Sequence, residues 1–179
     1  MNRLIDIFGA ITVLLASLSL WPFVALAIKL GSRGPVLVRL ARVSGGRTIY
    51  VYKFRSMIDG AHPMKAQLRH LNERTDGPFF KIKNDPRLTK VGRIIRKFRL
   101  DEFPQVINVL RGELSLVGQR PHEPEEVAQY PQEYRHIASA KAGVTGLSQV
   151  SGASSLPFLR ELELDNYYLK HKSWRLNLK

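Results

Sequence analysis

The 179-residue sequence contains no cysteine, which excludes a disulfide scaffold, a cysteine zinc site and a thiol nucleophile. It is also poor in acidic residues, with 15 Asp and Glu against 28 Lys and Arg, for a net charge of +13. None of its glycine-rich stretches has the spacing of a P-loop or of a dinucleotide-binding turn. Because 44% of the residues are hydrophobic, a disordered basic tail is excluded, and the length suits one domain.

The excess positive charge lies in the middle of the chain. Residues 29–120 hold 20 bases and 7 acids, whereas residues 1–28 and 121–179 are each neutral overall. This charge requires a polyanionic partner, and the candidates are nucleic acid, an anionic membrane surface and a phosphorylated small molecule. The position of the basic block beside an apolar N-terminus favours a protein that handles anions at a membrane surface over a nucleic-acid coat.

The N-terminus contains 22 consecutive residues without a charge, from Ile7 to Ile28. As one helix this run would extend about 33 Å, enough to cross a bilayer core. A cleaved signal peptide and a straight spanning helix are alternatives, but Asp6 makes a poor signal-peptide start and Pro22 interrupts a helix interior. Since bases flank both ends, we predict a re-entrant helix-break-helix that returns to the same membrane face.

The rest of the sequence predicts an α/β fold that is mostly helical. β-branched and aromatic runs on both sides of Gly45-Gly46 predict a short β-hairpin. The Gly/Ser/Thr-rich stretch 143–152 is expected to be a loop. Residues 58–75 are expected to form one helix, and apolar spacing predicts amphipathic helices over 89–98, 100–110 and 157–169.

The stretch with the most chemical information is RKFRLDEFPQ, residues 96–105. Asp101 and Glu102 stand beside three bases at the expected start of a helix, where Pro104 is tolerated. The helix dipole and the guanidinium groups are expected to keep both carboxylates ionised. Ionised carboxylates can bind Mg²⁺ or attack phosphorus to give an acyl phosphate; the alternative is that the pair only caps the helix.

Several bases stand next to turns or strand ends, where arginine can fork onto phosphate oxygens. The candidates for binding a phosphorylated substrate are Lys53, Arg55, Arg87, Arg96 and Arg120, together with Asp85, which opens the segment leading to the basic helix. Taken one at a time, each base has the alternative interpretation of a solvated surface residue.

A series of short motifs runs along nearly the whole chain in a fixed order. They are RLID at 3–6, GPV at 34–36, YKFRSM at 52–57, FKIK at 80–83, DPR at 85–87, LDE at 100–102, PQ at 104–105, SLVG at 115–118, GVTGL at 143–147 and QV at 149–150. In this order they resemble the bacterial sugar transferases, monotopic phosphoglycosyl transferases that load a phosphosugar onto a polyprenyl phosphate.

The resemblance implies a re-entrant membrane segment at 1–30 and a cytosolic catalytic domain at 31–179, on the cytoplasmic face of the bacterial inner membrane. It implies that Asp101 attacks the β-phosphate of a nucleotide diphosphate sugar, expected to be a UDP-sugar, and releases UMP. Polyprenyl phosphate would then attack the phosphosugar-enzyme intermediate. Glu102 would assist by positioning the cation or handling a proton, so that Asp101 and Glu102 together are the expected Mg²⁺ ligands.

The expected partners are the nucleotide sugar, polyprenyl phosphate and anionic membrane lipids, with no nucleic acid. The alternative function is a membrane-anchored basic nucleic-acid-binding module, which would need aromatic residues interleaved with bases on one exposed face. The oligomeric state stays open, a dimer included. Larger family members carry additional N-terminal membrane helices, so both a minimal enzyme and an excised catalytic domain are consistent with the sequence.

Three positions depart from the family pattern. Trp21 replaces the common Ser before the helix-breaking proline, which leaves the freed backbone groups without an evident partner. Gln119 and Ala142 each replace a Pro, and we expect the first replacement to loosen the turn that holds Arg120.

Overall fold

A computed structural model describes residues 3–177, apart from the side chain of Ser154. It is an α/β structure in which about half of the residues are helical, so the predicted class is correct but the helical share is smaller than expected. Two strands form the larger sheet, β1 at Leu37–Ser44 and β2 at Arg47–Phe54. They are antiparallel and joined at Gly45-Gly46, where both residues have positive φ, as a two-residue hairpin turn requires. The predicted hairpin is therefore confirmed, with longer strands.

The first two helices form a bent pair. Helix α1 spans Arg3–Leu18, helix α2 spans Trp21–Gly31, and their axes differ by 61°. Pro22 lies in the first turn of α2, where the missing backbone donor costs nothing. Within the described residues no single helix is long and apolar enough to span a membrane. The two helices of the bent pair have the required length and hydropathy only when they are taken together.

Trp21 has a partner at the bend. Its Nε1 donates a hydrogen bond to Ser17 Oγ over 3.2 Å, while the Leu20 N–H donates to the Ser17 carbonyl over 2.9 Å. Ser17, near the end of α1, thus accepts from Leu20 in the break and from Trp21 at the start of α2, and the indole anchors the turn.

The other elements are short. The helices are α3 (Met64–Gln67), α4 (Lys90–Lys97), α5 (Val106–Leu110), α6 (Pro124–Val127), α7 (Leu147–Val150), α8 (Phe158–His171) and α9 (Trp174–Asn177). A parallel pair joins β3 (Ser115–Val117) to β4 (Gly143–Thr145), and 3₁₀ helices cover Arg69–Leu71, Leu100–Gln105, Gln132–Ser139 and Ala153–Ser155.

Three sequence predictions need correction. The helix over 58–75 is only α3 and a 3₁₀ turn, because neither buries a side chain that could stabilise a longer helix. The helix over 100–110 is divided into a 3₁₀ segment containing Pro104 and the short α5. The expected loop 143–152 contains β4 and α7, which are three and four residues long and leave no periodic signal.

The core includes the N-terminal helices. One apolar cluster joins Ala10 of α1 to Ile49 and Val51 of the hairpin, and a second joins Ile28 of α2 to Phe54 and Ile95. Polar anchors reinforce α1: the Arg3 guanidinium donates to the Leu110 carbonyl over 2.7 Å, and the Asp6 Oδ1 accepts from the Leu116 N–H over 2.8 Å. One face of the bent pair is therefore packed on the rest of the protein.

The opposite face of the bent pair is apolar and exposed. Phe8, Leu15, Phe23, Leu26 and Leu30 each expose more than half of their surface. A contiguous face of this kind normally marks an interaction with a membrane or another protein.

Candidate active site

All eight residues singled out from the sequence line one cleft of about 820 Å³. They are Lys53, Arg55, Asp85, Arg87, Arg96, Asp101, Glu102 and Arg120. The cleft lies between the hairpin, the segment after β2, the end of α4 and the segment that leads into α6. Residues separated by up to 67 positions are thus brought together, although they do not all have the same surroundings.

The position of α4 is set by its contact with the segment after β2. A Cβ on Gly92 would lie 1.7 Å from the Ser56 carbonyl oxygen, so only glycine permits this approach. Thr89 caps the helix by accepting from the Gly92 N–H over 2.8 Å. The same contact brings the Arg96 Nε to 3.0 Å from Ser56 Oγ, at the side of the cleft.

The carboxylate pair lies in the 3₁₀ segment between α4 and α5. Arg99 begins this segment in the left-handed conformation, and Asp101 and Glu102 follow in its first turn. The Lys53 ammonium on β2 donates to Glu102 Oε1 over 2.6 Å. Asn108 keeps these elements in register, since its amide accepts from the Tyr52 N–H over 3.0 Å and donates to the Tyr50 carbonyl over 2.8 Å.

The two carboxylates differ in their electrostatic surroundings. Burial raises the pKa of Asp101 above its ordinary value, and the Glu102 charge adds to this, although Lys53 and Arg96 oppose it. Burial also opposes ionisation of Glu102, but the charge and hydrogen bond of Lys53 hold the pKa of that group below its ordinary value. The neighbouring bases therefore lower the pKa of Glu102 as expected, whereas burial outweighs their effect on the pKa of Asp101.

Arg55 is buried, and its donors are used by the protein itself. Its guanidinium donates to the carbonyls of Ser32 over 3.0 Å and Arg33 over 2.6 Å, to the carbonyl of Pro35, and to the Ser32 hydroxyl over 2.9 Å. These bonds tie the α2–β1 connection to the end of β2. Arg55 thus stabilises one wall of the cleft.

Asp85 and Arg87 form a buried ion pair. The Arg87 Nε lies 2.9 Å from Asp85 Oδ1, and its Nη2 lies 2.7 Å from Oδ2, so the contact is bidentate. Burial opposes ionisation of Asp85, but the hydrogen bonds and charge of Arg87 lower its pKa. Arg87 also donates to the Ala61 carbonyl over 3.3 Å and stacks on Phe80, so this pair holds the cleft's outer segment in place.

Arg120 is held from behind by α8 while its side chain remains one-third exposed to the cleft. The backbone N–H of Arg120 donates to Asp165 Oδ2 over 3.2 Å, and its side-chain Nε lies 3.6 Å from Glu161 Oε1. Gln119 does not loosen this turn: it is buried, and its side-chain amide donates to the carbonyls of Ile137 and Ala140. The expectation of a loosened turn is wrong because the Gln amide supplies bonds that a proline cannot.

The sequence is similar to those of known proteins. The sequence pattern described as bacterial sugar transferase matches residues 1–179. The chain belongs to that family. It is 40% identical over 174 residues to a galactosyl transferase CpsE of Streptococcus agalactiae, and 40% identical over 147 residues to an undecaprenyl-phosphate galactose phosphotransferase of Salmonella typhimurium. It is 33% identical over 180 residues to the sugar transferase EpsL of Bacillus subtilis.

The extent of these matches differs between the relatives. The matched region covers 96% of this chain and 38% of the Streptococcus protein, and 80% of this chain and 30% of the Salmonella protein. For the Bacillus protein it covers 100% of this chain and 82% of the relative. The chain thus corresponds to the shared transferase region of longer proteins and to most of a shorter one.

The carboxylate pair of Asp101 and Glu102, the dyad, fits one of the ways in which proteins bind Mg²⁺. Among the described residues no group of three or more acidic or histidine side chains is arranged to hold a metal ion. Mg²⁺ usually keeps several waters and binds through one or two carboxylates together with substrate phosphates. Asp101 and Glu102 would supply the carboxylates of that mode. Glu102 Oε1 already accepts from Lys53, and phosphate and water oxygens would be the remaining ligands of the ion.

Several residues of the cleft were not found from the sequence. Behind Arg120, the Glu161 carboxylate accepts from His122 Nε2 over 3.0 Å, and His122 Nδ1 in turn bonds the Tyr130 hydroxyl. Burial raises the pKa of Asp165, beside them, to about 6. The acidic first turn of α8 was visible in the sequence, but nothing local indicated that it faces Arg120.

The cleft also contains an acidic wall at Glu123. This side chain lies 3.4 Å from the Arg42 Nη1 and forms an ion pair with Lys65. These contacts lower its pKa although burial opposes its ionisation. Arg42 and Lys65 were not singled out from the sequence because neither belongs to a recognisable motif.

Proposed function

We propose that the protein transfers a sugar phosphate from a nucleotide diphosphate sugar to polyprenyl phosphate. The observation that carries this proposal is the Asp101–Glu102 pair at the side of a basic cleft. Family membership supports the chemistry, because several relatives are named undecaprenyl-phosphate sugar phosphotransferases, with galactose, glucose or N-acetylgalactosamine as the sugar.

In the first step, an Asp101 carboxylate oxygen attacks the β-phosphorus of a UDP-sugar. A bond forms between this oxygen and the phosphorus, and the bond from the phosphorus to the bridging oxygen breaks. UMP leaves with that oxygen and its electron pair. The sugar phosphate is then bound to Asp101 as an acyl phosphate.

In the second step, a phosphate oxygen of polyprenyl phosphate attacks the same phosphorus. The bond from phosphorus to the Asp101 oxygen breaks, and its electron pair returns to the carboxylate. The product is a polyprenyl diphosphate sugar, and the free Asp101 is regenerated without a redox change. This would be the first membrane step in the assembly of a bacterial polysaccharide.

The bases of the cleft have distinct roles in this reaction. Lys53 orients Glu102 and keeps it ionised, while Arg96 and Arg120 present guanidinium donors to substrate phosphates. Such preorganised charges supply much of the catalysis in phosphoryl transfer. A bound Mg²⁺ would be held by Asp101 and Glu102 and would neutralise developing charge on the phosphates.

The decisive experiment is release of UMP from a UDP-sugar by the Asp101→Asn variant. The amide cannot act as the nucleophile, so we expect a loss of about a thousandfold or more. Glu133→Gln, an exposed residue outside the cleft, is the matched control and should keep normal turnover. Wild-type protein incubated with labelled donor alone should retain the label covalently; turnover by Asp101→Asn at the wild-type rate would exclude the mechanism.

We further propose that the bent helix pair is a re-entrant membrane segment and that the cleft faces the bacterial cytoplasm. The exposed apolar face of α1 and α2 supports this, as do the bases Lys90, Arg93 and Lys97 of the adjacent α4, which suit anionic lipid head groups. Single cysteines at Asn2, which lies outside the described residues, and at Ser173 should both label from the cytoplasmic side. Labelling from opposite sides would contradict a re-entrant segment.

A further inference from the structure

Arg99 has an unusual backbone conformation at the rim of the cleft. Its φ of 54° and ψ of 21° lie in the left-handed region, which among the described residues only one other non-glycine residue, Ala153, shares by its φ. A residue with a side chain is strained in this conformation relative to glycine. Strain of this kind is often retained where a side chain has a function, and it provides a reason to ask what Arg99 binds.

The charge of the Arg99 guanidinium is one of those that lower the pKa of Glu102. In the part of the chain that the structure describes, no hydrogen bond or ion pair holds it, although it lines the cleft. Most other bases of the cleft differ in this respect. Lys53, Arg42, Lys65, Arg87 and Arg120 each contact a carboxylate.

An exposed apolar surface lies directly beside Arg99. Ile94 of α4 is 59% exposed, and Phe98, directly after the helix, is 63% exposed. The inner side of the same helix packs through Val91 and Ile95 in one cluster with Ile28 of α2. Along the chain Arg99 therefore stands between the exposed Phe98 and Asp101, the proposed nucleophile, two residues later.

We propose that Arg99 binds the phosphate of the lipid acceptor. This inference rests on the proposed function. Both substrates carry phosphates, but only the acceptor joins its phosphate to a long apolar chain, so only the acceptor needs a cation flanked by exposed apolar side chains. The planar fork of arginine suits a terminal phosphate, and its position beside the dyad brings the attacking oxygen close to the phosphosugar on Asp101.

Arg99→Gly separates the role of the side chain from that of the backbone. Glycine adopts positive φ without strain, so this variant should fold at least as stably as the wild type. Loss of hydrogen bonds to a charged group should raise the KM for polyprenyl phosphate roughly 10- to 100-fold. Release of UMP in a single turnover without acceptor, and the KM for the UDP-sugar, should stay at wild-type values. Arg99→Lys should recover part of the acceptor affinity.

Arg47→Ala is the matched control for loss of one positive charge, because Arg47 is an exposed arginine at the hairpin turn outside the cleft. It should change neither KM. In Arg99→Gly, a higher KM for the UDP-sugar with an unchanged KM for the acceptor would overturn the proposal. The proposal would also be overturned if Arg99→Gly changed neither KM. If Asp101→Asn is inactive in that same experiment, only the role of Arg99 is rejected. Absence of UMP release by the wild type would reject the proposed function and this inference together.

Discussion

The cleft contains two groups of arginines that differ in what they hold. Arg55 and Arg87 are buried, and their donors go to carbonyl oxygens and to the carboxylate of Asp85. Arg96 and Arg99, near the C-terminal end of α4, are exposed, and the one hydrogen bond that their side chains make within the described residues is to the hydroxyl of Ser56. The comparison shows that arginines of one cleft can differ in role: some stabilise the fold, and others remain available for a ligand.

The buried group explains how so small a protein holds an open basic cleft. A buried guanidinium is tolerated only when its donors are satisfied. Arg55 meets that condition through residues at least 20 positions away, and Arg87 meets it through Asp85 and the carbonyl of Ala61. Arg55 fastens the connection from the bent helix pair to the hairpin, and Arg87 fastens the segment near Ala61. The exposed arginines remain available for the phosphates of the proposed substrates.

The largest expected effect comes from breaking the buried group. Arg87→Ala leaves the Asp85 carboxylate buried without its partner, which should lower the free energy of unfolding by about 3–5 kcal/mol. Urea unfolding in detergent micelles measures this directly. The double variant Asp85→Ala with Arg87→Ala should be less destabilised than the sum of the two single variants, since it leaves no buried charge unpaired. An additive double variant would show that the pair does not hold this wall of the cleft.

The sequence predicted which residues meet in the cleft better than it predicted their surroundings. Asp101 and Glu102 were recognisable because two adjacent acids stand out within a basic stretch, and every substrate-binding candidate does line the cleft. The sequence did not show that Arg55 is buried whereas Arg96 is exposed. Whether a guanidinium donates to backbone carbonyls depends on contacts with residues more than 20 positions away, such as that of Arg55 with Ser32.

Long-range polar contacts were the other feature that sequence patterns did not predict. Asn108 joins α5 to β2, and Glu161 supports Arg120, but each looks like an ordinary helix residue by its local spacing. The motif around Asp6 was noticed, yet its bond to the Leu116 N–H spans 110 residues. Periodicity reports which face of an element is buried, and it carries no information on which polar partner is met there.

The smallest expected effect on stability comes from the exposed group. Arg96→Ala removes one hydrogen bond to Ser56, so the free energy of unfolding should change by about 0.5 kcal/mol or less, as is usual at exposed positions. The same variant should raise the KM for the UDP-sugar by roughly tenfold, because a charged phosphate contact is lost. Arg47→Ala, at the exposed hairpin turn and outside the cleft, is the matched control and should alter neither quantity. If Arg96→Ala instead destabilised the protein as strongly as Arg87→Ala and left the KM unchanged, Arg96 would belong with the structural arginines, and the side of the cleft next to Asp101 would have to bind phosphate through Arg99 and Arg120 alone.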